Sequence, residues 1–403
     1  MNIGIIFDTN SKSGGGFFQS LSSAIMINQI TDKNLRFTFI VFSKENEKIL
    51  QSKGLKTINF KSSIFFNLYK RITKINIISK FLNKIKYGNS FFKFLNKSKI
   101  DFLIFLGPSD LIDYIENINF SYTIYDIQHK SYPFFPEYKG KEYYSQRDKI
   151  LQEAANKSFK ILVDTDRTKK DVNFYYNCPN EKLVVQPFIP FLPKMIDEKK
   201  NYSLNENLKE KINLNENQKY FFYPAQFWAH KNHRYIIDFL NIQSKNKNNT
   251  YKVVCCGSNK GNRNFINKLA QTHSLENQLI IFDYLSDDEV IQLYKNCFGL
   301  LMPTYVARST LPLYESFFLK KPVFYSNDIL DEKLYDYVIG FDLNNPKDLV
   351  EKLENIESGK IDLNSLTNLA FDYFNKMCNE ELFVNNYKRI LTEYDYLRNR
   401  WEI

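Results

Sequence analysis

In the stretch FFYPAQFWAHKNH, residues 221–233, an apolar run gives way to a turn that holds one lysine between two histidines. Lys231 stands just before the apolar-periodic segment YIIDFL, which places a fixed cation at the start of a helix. Unpaired amides and the helix dipole draw anions to that same point, so a pair of phosphates is a natural guest. Two blander readings stand beside it: a solvated surface lysine, or a metal held by His230 and His233. The metal reading is weak, because no cysteine lies nearby and the chain has only four histidines.

Two further loops could do chemistry. In SKSGGGFF, Gly14, Gly15 and Gly16 follow an apolar strand and precede a helix. Their amides can approach a phosphate or a sugar, or the glycines can simply serve a turn that needs positive φ. In MPTYVARSTLPLYESFF, Ser309, Thr310 and Leu311 offer backbone amides ahead of Pro312, which suits a first helical turn, and Glu315 lies within that turn. Spacing alone does not separate a ligand-binding Glu315 from one that complements the helix dipole, worth about 0.3–1 kcal/mol. The tripeptide DTD, Asp164 to Asp166, imitates a metal-binding DxD. So short a pattern is frequent by chance, and no metal is expected.

The elements that position these loops alternate. Apolar runs NIGIIFD, RFTFIVFS, FLIFLG, YTIYDI and FKILVDT, separated by helical stretches, predict a doubly wound parallel sheet over residues 1–190. A proline-punctuated, then asparagine-rich stretch predicts a linker over 191–218. The alternation restarts with YFFYPAQ, YKVVCCGS, LIIFDYL, GLLMPT and PVFYSN, predicting a second α/β domain over 219–375. A last helical segment, 376–403, is expected to pack back toward the first domain. The fold class is therefore α/β, with two Rossmann-like domains facing across a cleft, and ligands in such sheets sit beyond the carboxyl ends of the strands.

Composition narrows the classes. With 403 residues and 43% hydrophobic content the chain can bury two cores. The five cysteines have no CxxC spacing, so neither disulfide nor zinc is expected. The N-terminus places Asp8 where a signal peptide would stay apolar, which predicts a cytoplasmic chain. The net charge of +10 is uneven: residues 53–100 hold twelve Lys/Arg and no acid, interleaved with Phe, Ile, Leu and Tyr. That pattern predicts basic amphipathic helices on an anionic membrane surface, at the inner face of the plasma membrane. No nucleic-acid-binding motif accompanies it, and no nucleic-acid partner is expected.

In order along the chain, YDIQHKSYPFFPEY, YPAQFWAHKNH, FDYLSDDEVIQLYKNC and GLLMPTYVARSTLPLYESFFLKKPVFYSN resemble the GT-B glycosyltransferases of family 4, the group 1 transferases, and within them a subgroup with the motif QFWxHKNH. The resemblance implies a retaining, metal-independent transfer of a hexose, mannose being the commonest in the subgroup, from a nucleotide-diphosphate sugar. A lipid-linked or cell-surface polysaccharide precursor, as in lipopolysaccharide or O-antigen synthesis, would be the acceptor, and no cofactor beyond the donor is implied. On this resemblance Lys231 binds the donor diphosphate and Glu315 the ribose hydroxyls. Asp126 and His129, in DIQH, fall where the acceptor domain meets the transferred sugar, and Gly14 to Gly16 approach the diphosphate. Ser309, Thr310 and Leu311 would contact the donor through their backbone.

Three positions depart from the family pattern. Ala307 stands where a second glutamate, eight before Glu315, is usual; Gln226 stands where many members have arginine; Asp283 replaces a glycine. Ala307 and Gln226 read as traits of the subgroup, but they also support a rival reading, a catalytically silent GT-B partner subunit. A nucleotide-sugar epimerase would use the same cleft, yet the motif loops offer no extra carboxylates for proton abstraction.

Overall fold

The computed structural model describes residues 1–11, 14–62, 64, 66–67, 90–245, 250–306 and 311–400. The chain divides into two compact units, Met1–Ile127 with Glu142–Ile189 and Glu380–Ile403, and Gln128–Lys141 with Pro190–Asn379.

The first unit is built on seven strands: β1 (Asn2–Phe7), β2 (Arg36–Val41), β3 (Thr57–Asn59), β4 (Phe102–Phe105), β5 (Asn119–Ile124), β6 (Lys160–Val163) and β7 (Leu183–Val185). They pair in parallel in the order β3-β2-β1-β4-β5-β6-β7. The second unit has β8 (Lys219–Pro224), β9 (Tyr251–Cys256), β10 (Leu279–Phe282), β11 (Gly299–Met302), β12 (Val323–Ser326) and β13 (Ile339–Phe341). Here the order is β10-β9-β8-β11-β12-β13, again parallel. Sheets covered on both faces need strands that are apolar throughout, and runs such as FLIF and GLLM are buried at every position. Phe221 sits at the heart of the second core, its ring 4.9 Å from Phe324 and 5.3 Å from Tyr251.

In each sheet the winding reverses once, between β1 and β4 and between β8 and β11. Loops leaving the carboxyl ends of those pairs diverge and open a crevice. The Gly14 loop follows β1, the Lys231 loop follows β8, and the segment leading to Glu315 follows β11.

Two sequence expectations are revised by the packing. Residues 191–218 are not a bare linker, since a helix at Glu206–Ile212 fully buries Leu208 and Ile212 in the second unit. Lys252 caps that helix, its Nζ donating to the carbonyls of Ile212 (2.9 Å) and Asn213 (2.6 Å). Residues 128–141, counted with the first domain, cluster with the second unit. Within 53–100, Phe60, Phe66, Phe91 and Leu95 belong to the first unit's core, while Ile64, Lys93 and Lys97 are exposed. Residues 68–89, the middle of that basic stretch, lie outside the described residues. The helix Glu380–Arg398 packs on the first unit, with Tyr394 4.5 Å from Phe102 and Lys160 2.7 Å from Glu393. Among the described residues no helix is long and apolar enough to cross a membrane.

Candidate active site

The second unit brings its chemistry to the β8/β11 reversal. β8 ends at Pro224, and the loop that follows is pinned by backbone: Phe227 N–H donates to Ser258 O (3.0 Å) and Phe227 O accepts from Asn262 N–H (3.2 Å). Gly257 makes this possible, because a Cβ there would stand 2.5 Å from the Ala225 carbonyl oxygen. Gln226 Oε1 accepts from the Trp228 indole at 2.9 Å, so Gln226 shapes the loop as well as lining it.

A short turn, Ala229–Lys231, then carries the lysine, and Asn232 takes the left-handed conformation (φ 52°) that asparagine tolerates better than most residues. The helix His233–Lys245 starts immediately after. From beneath, the buried Tyr223 hydroxyl donates to the Lys231 carbonyl at 2.9 Å. Lys231 is thus held by its backbone, at a helix N-terminus, with its side chain partly exposed.

The two histidines are otherwise engaged. His233 is fully buried, its ring stacked on Phe227 at 4.1 Å. Burial first, and the Lys231 charge second, push its pKa down to about 3, so it is neutral. His230 turns its Nδ1 to the Glu137 carboxylate. Among the described residues no cluster of three metal-ligating side chains forms. DTD has a structural use: Thr165 Oγ1 accepts from Thr168 N–H (3.1 Å) and caps the helix Asp166–Tyr176.

Beyond β11 the helix Leu311–Phe318 carries Glu315, whose Oε2 accepts a 2.6 Å hydrogen bond from the Tyr294 hydroxyl. Burial pushes the Glu315 carboxyl up to about 7, against the lowering effect of that hydrogen bond. The residue nevertheless keeps part of its surface open. Leu311 is the first described residue of that helix and is buried. Ala307, Ser309 and Thr310 lie outside the described residues. Asp283 has a partner in Arg263, whose guanidinium also lies 5.5 Å from the Phe227 ring. It thereby ties the loop after β10 to the loop after β8.

In the first unit, Gly14 has φ 66° and precedes the helix Gly15–Asn28, which has no side-chain cap. The positive φ explains the glycine, and the uncapped start leaves the Gly15 and Gly16 amides as first-turn donors. Asp126 is claimed by Arg147, which donates to its Oδ1 (2.7 Å) and its carbonyl (3.0 Å). His129 is fully buried on the helix Gln128–Ser131, in the second unit. Sequence reasoning missed Glu137, Tyr223, Tyr294 and Arg147 as the groups that orient these side chains. Glu137 stood within the quoted motif YDIQHKSYPFFPEY, yet nothing local marked its partner.

Residues 205–371 match the family model described as glycosyl transferases group 1. The fold is GT-B. Over 97% of this chain and 98% of the other, the GT-B chain superposes on a glycosyltransferase of Rickettsia africae ESF-5, with a TM-score of 0.67 at 16% identity. HepE of Anabaena, solved in complex with UDP and glucose, aligns over 98% of this chain and all of its own, with a TM-score of 0.69 at 12% identity. WaaG, a glycosyltransferase involved in lipopolysaccharide biosynthesis, aligns over 96% of this chain and 99% of its own, with a TM-score of 0.63 at 14% identity. No curated protein matches the sequence.

Proposed function

We propose that the protein is a retaining, metal-independent glycosyltransferase that moves a hexose, with mannose the leading candidate, from a nucleotide-diphosphate sugar to a lipid-linked or cell-surface glycan precursor. One observation carries the reading: within the group 1 match, Lys231 and Glu315 stand on the segments that follow β8 and β11, the strands flanking the sheet reversal where an α/β sheet binds its ligand. UDP in HepE and the lipopolysaccharide role of WaaG support the donor and acceptor classes.

In this reading Glu315 accepts hydrogen bonds from the ribose hydroxyls, and Lys231 with the start of the His233 helix faces the diphosphate. As the sugar–phosphate bond breaks, negative charge grows on the departing oxygen, and a cation already in place stabilises it without reorganising. The acceptor hydroxyl attacks from the side the diphosphate leaves, and the departing phosphate oxygen takes its proton. Leu311, Ser309 and Thr310 add backbone donors, and Gln226 supports the loop. On the first unit Gly14, Gly15 and Gly16 offer amides to the donor. Asp126 serves the sugar and acceptor through a position fixed by Arg147, and His129, fully buried, acts from behind that surface rather than by contact. The basic stretch 53–100 holds this cytoplasmic chain against anionic lipid.

The test is turnover. Incubated with UDP-, GDP-, CDP- and dTDP-sugars, the wild-type protein should hydrolyse one donor slowly without acceptor and without added metal, and K231A should not. Hydrolysis of none, with donor still bound, would favour the silent partner subunit to which Ala307 and Gln226 point.

A further inference from the structure

Resting on that reading, we infer that Glu137 is a positioning residue for the diphosphate-binding lysine, acting through His230. Glu137 Oε1 accepts from the His230 backbone N–H at 3.1 Å and also from the His230 ring Nδ1. One carboxylate therefore fixes both the main chain and the side chain of the residue preceding Lys231. The pair is enclosed, with side chains only 7% (Glu137) and 11% (His230) exposed.

The protonation states follow from the partners. Burial alone would raise the Glu137 pKa, but the hydrogen bonds from the His230 ring and backbone outweigh it and hold the carboxyl below its usual range. An ionised carboxylate has no proton to give, so the hydrogen lies on Nδ1. Aromatic rings hold the imidazole plane: Tyr138 stacks on it at 6.1 Å, Trp228 at 6.3 Å, and Phe135 meets its edge at 6.2 Å.

His230 is a junction. Its carbonyl accepts from Tyr305 N–H (2.9 Å) and from Thr304 Oγ1 (3.2 Å), both on the loop after β11. With Tyr223 holding the Lys231 carbonyl, the backbone on both sides of the lysine's Cα is fixed, and the Lys231 loop is locked to the segment that leads to the Glu315 helix. Glu137 completes the lock from residues 128–141, a segment inserted into the second unit from the first half of the chain. A packing contact alone would not require a charged pair at this point, because apolar residues of similar volume pack as well or better.

A double-mutant cycle tests the role on the full chain, with UDP, GDP, CDP and dTDP and the matching nucleosides as probes by titration calorimetry. E137A should weaken the diphosphate that binds by about ten- to hundredfold, the scale of a misplaced catalytic group. The corresponding nucleoside should bind within about twofold of wild type. In a K231A background, E137A should add no further loss, since the two changes remove one interaction. E137Q, nearly isosteric and still an acceptor, should show the same pattern with a smaller loss, and serves if E137A does not fold. Equal losses for nucleoside and diphosphate, or the same loss with and without Lys231, would reduce Glu137 to a packing residue. Wild-type affinity in both Glu137 variants would remove it from the site. A wild-type protein that binds no nucleoside diphosphate overturns the reading of the site itself, and the positioning role with it.

Discussion

At the scale of single residues, Glu315 makes the clearest prediction. Its carboxyl, lifted to about 7, is protonated in the folded protein over a pH range in which the unfolded chain has already ionised. Folding stability attributed to it is therefore fully present below about pH 4.5 and is lost as pH rises through 7. Thermal melts should show E315Q more stable than wild type at pH 8, with the difference closing toward pH 4.5. Equal melting temperatures at both pH values would mean that the carboxylate carries no burial penalty. Ribose hydroxyls are donors, so nucleotide binding favours the carboxylate, and wild-type affinity should rise through pH 7 while that of E315Q stays flat. Tyr294 faces this group as its hydrogen-bond donor, and Cys256 lies close enough to feel its charge. K231A belongs to the same scale: transfer should be lost with a nearly unchanged melting temperature, because the turn is held by backbone. Lys231 before a helix and Glu315 in a first helical turn were legible in the sequence, and their assignment to phosphate and ribose came from resemblance. Their supports were not legible, since Tyr294 lies 21 positions from Glu315 and Glu137 lies 93 from His230.

At the scale of elements, the loops after β8 and β9 depend on one close approach. G257A would place a methyl group against the Ala225 carbonyl, at a cost of about 1–3 kcal/mol. It should lower the melting temperature and displace the Lys231 loop, so nucleoside diphosphate affinity should fall as well; an unchanged melt would show that the loop can move aside. Parallel strands were readable because burial on both faces makes them continuous apolar runs, as in FLIF and GLLM. β3, β7 and β13 span three residues each and leave no such run. The helix Glu206–Ile212 is seven residues long, too short for its two buried positions to declare a period. Asp283, which had no explanation as a sequence position, acquires one as the partner of Arg263 across two loops.

For the whole molecule, the alternation of strands and helices was enough to predict two α/β sheets, because that pattern is set by local periodicity. The assignment of residues 128–141 to the second unit was not readable, since it depends on contacts with residues far along the chain. Charge acts at this scale too. If residues 53–100 hold the protein on a membrane, vesicles containing anionic lipid should sediment it at low salt and release it near 1 M, where the screening length falls to about 3 Å; neutral vesicles that bind it equally well would contradict that role. The central claim is a nucleotide-sugar site built on Lys231 and Glu315, and its most direct measurement is a thermal-shift titration of wild type and K231A with UDP-, GDP-, CDP- and dTDP-sugars in the presence of a chelator. The account predicts that one donor class, at a hundred times its dissociation constant, stabilises the wild type by about 2.7 kcal/mol and K231A much less. No shift with any donor, or the same shift in K231A, would contradict it.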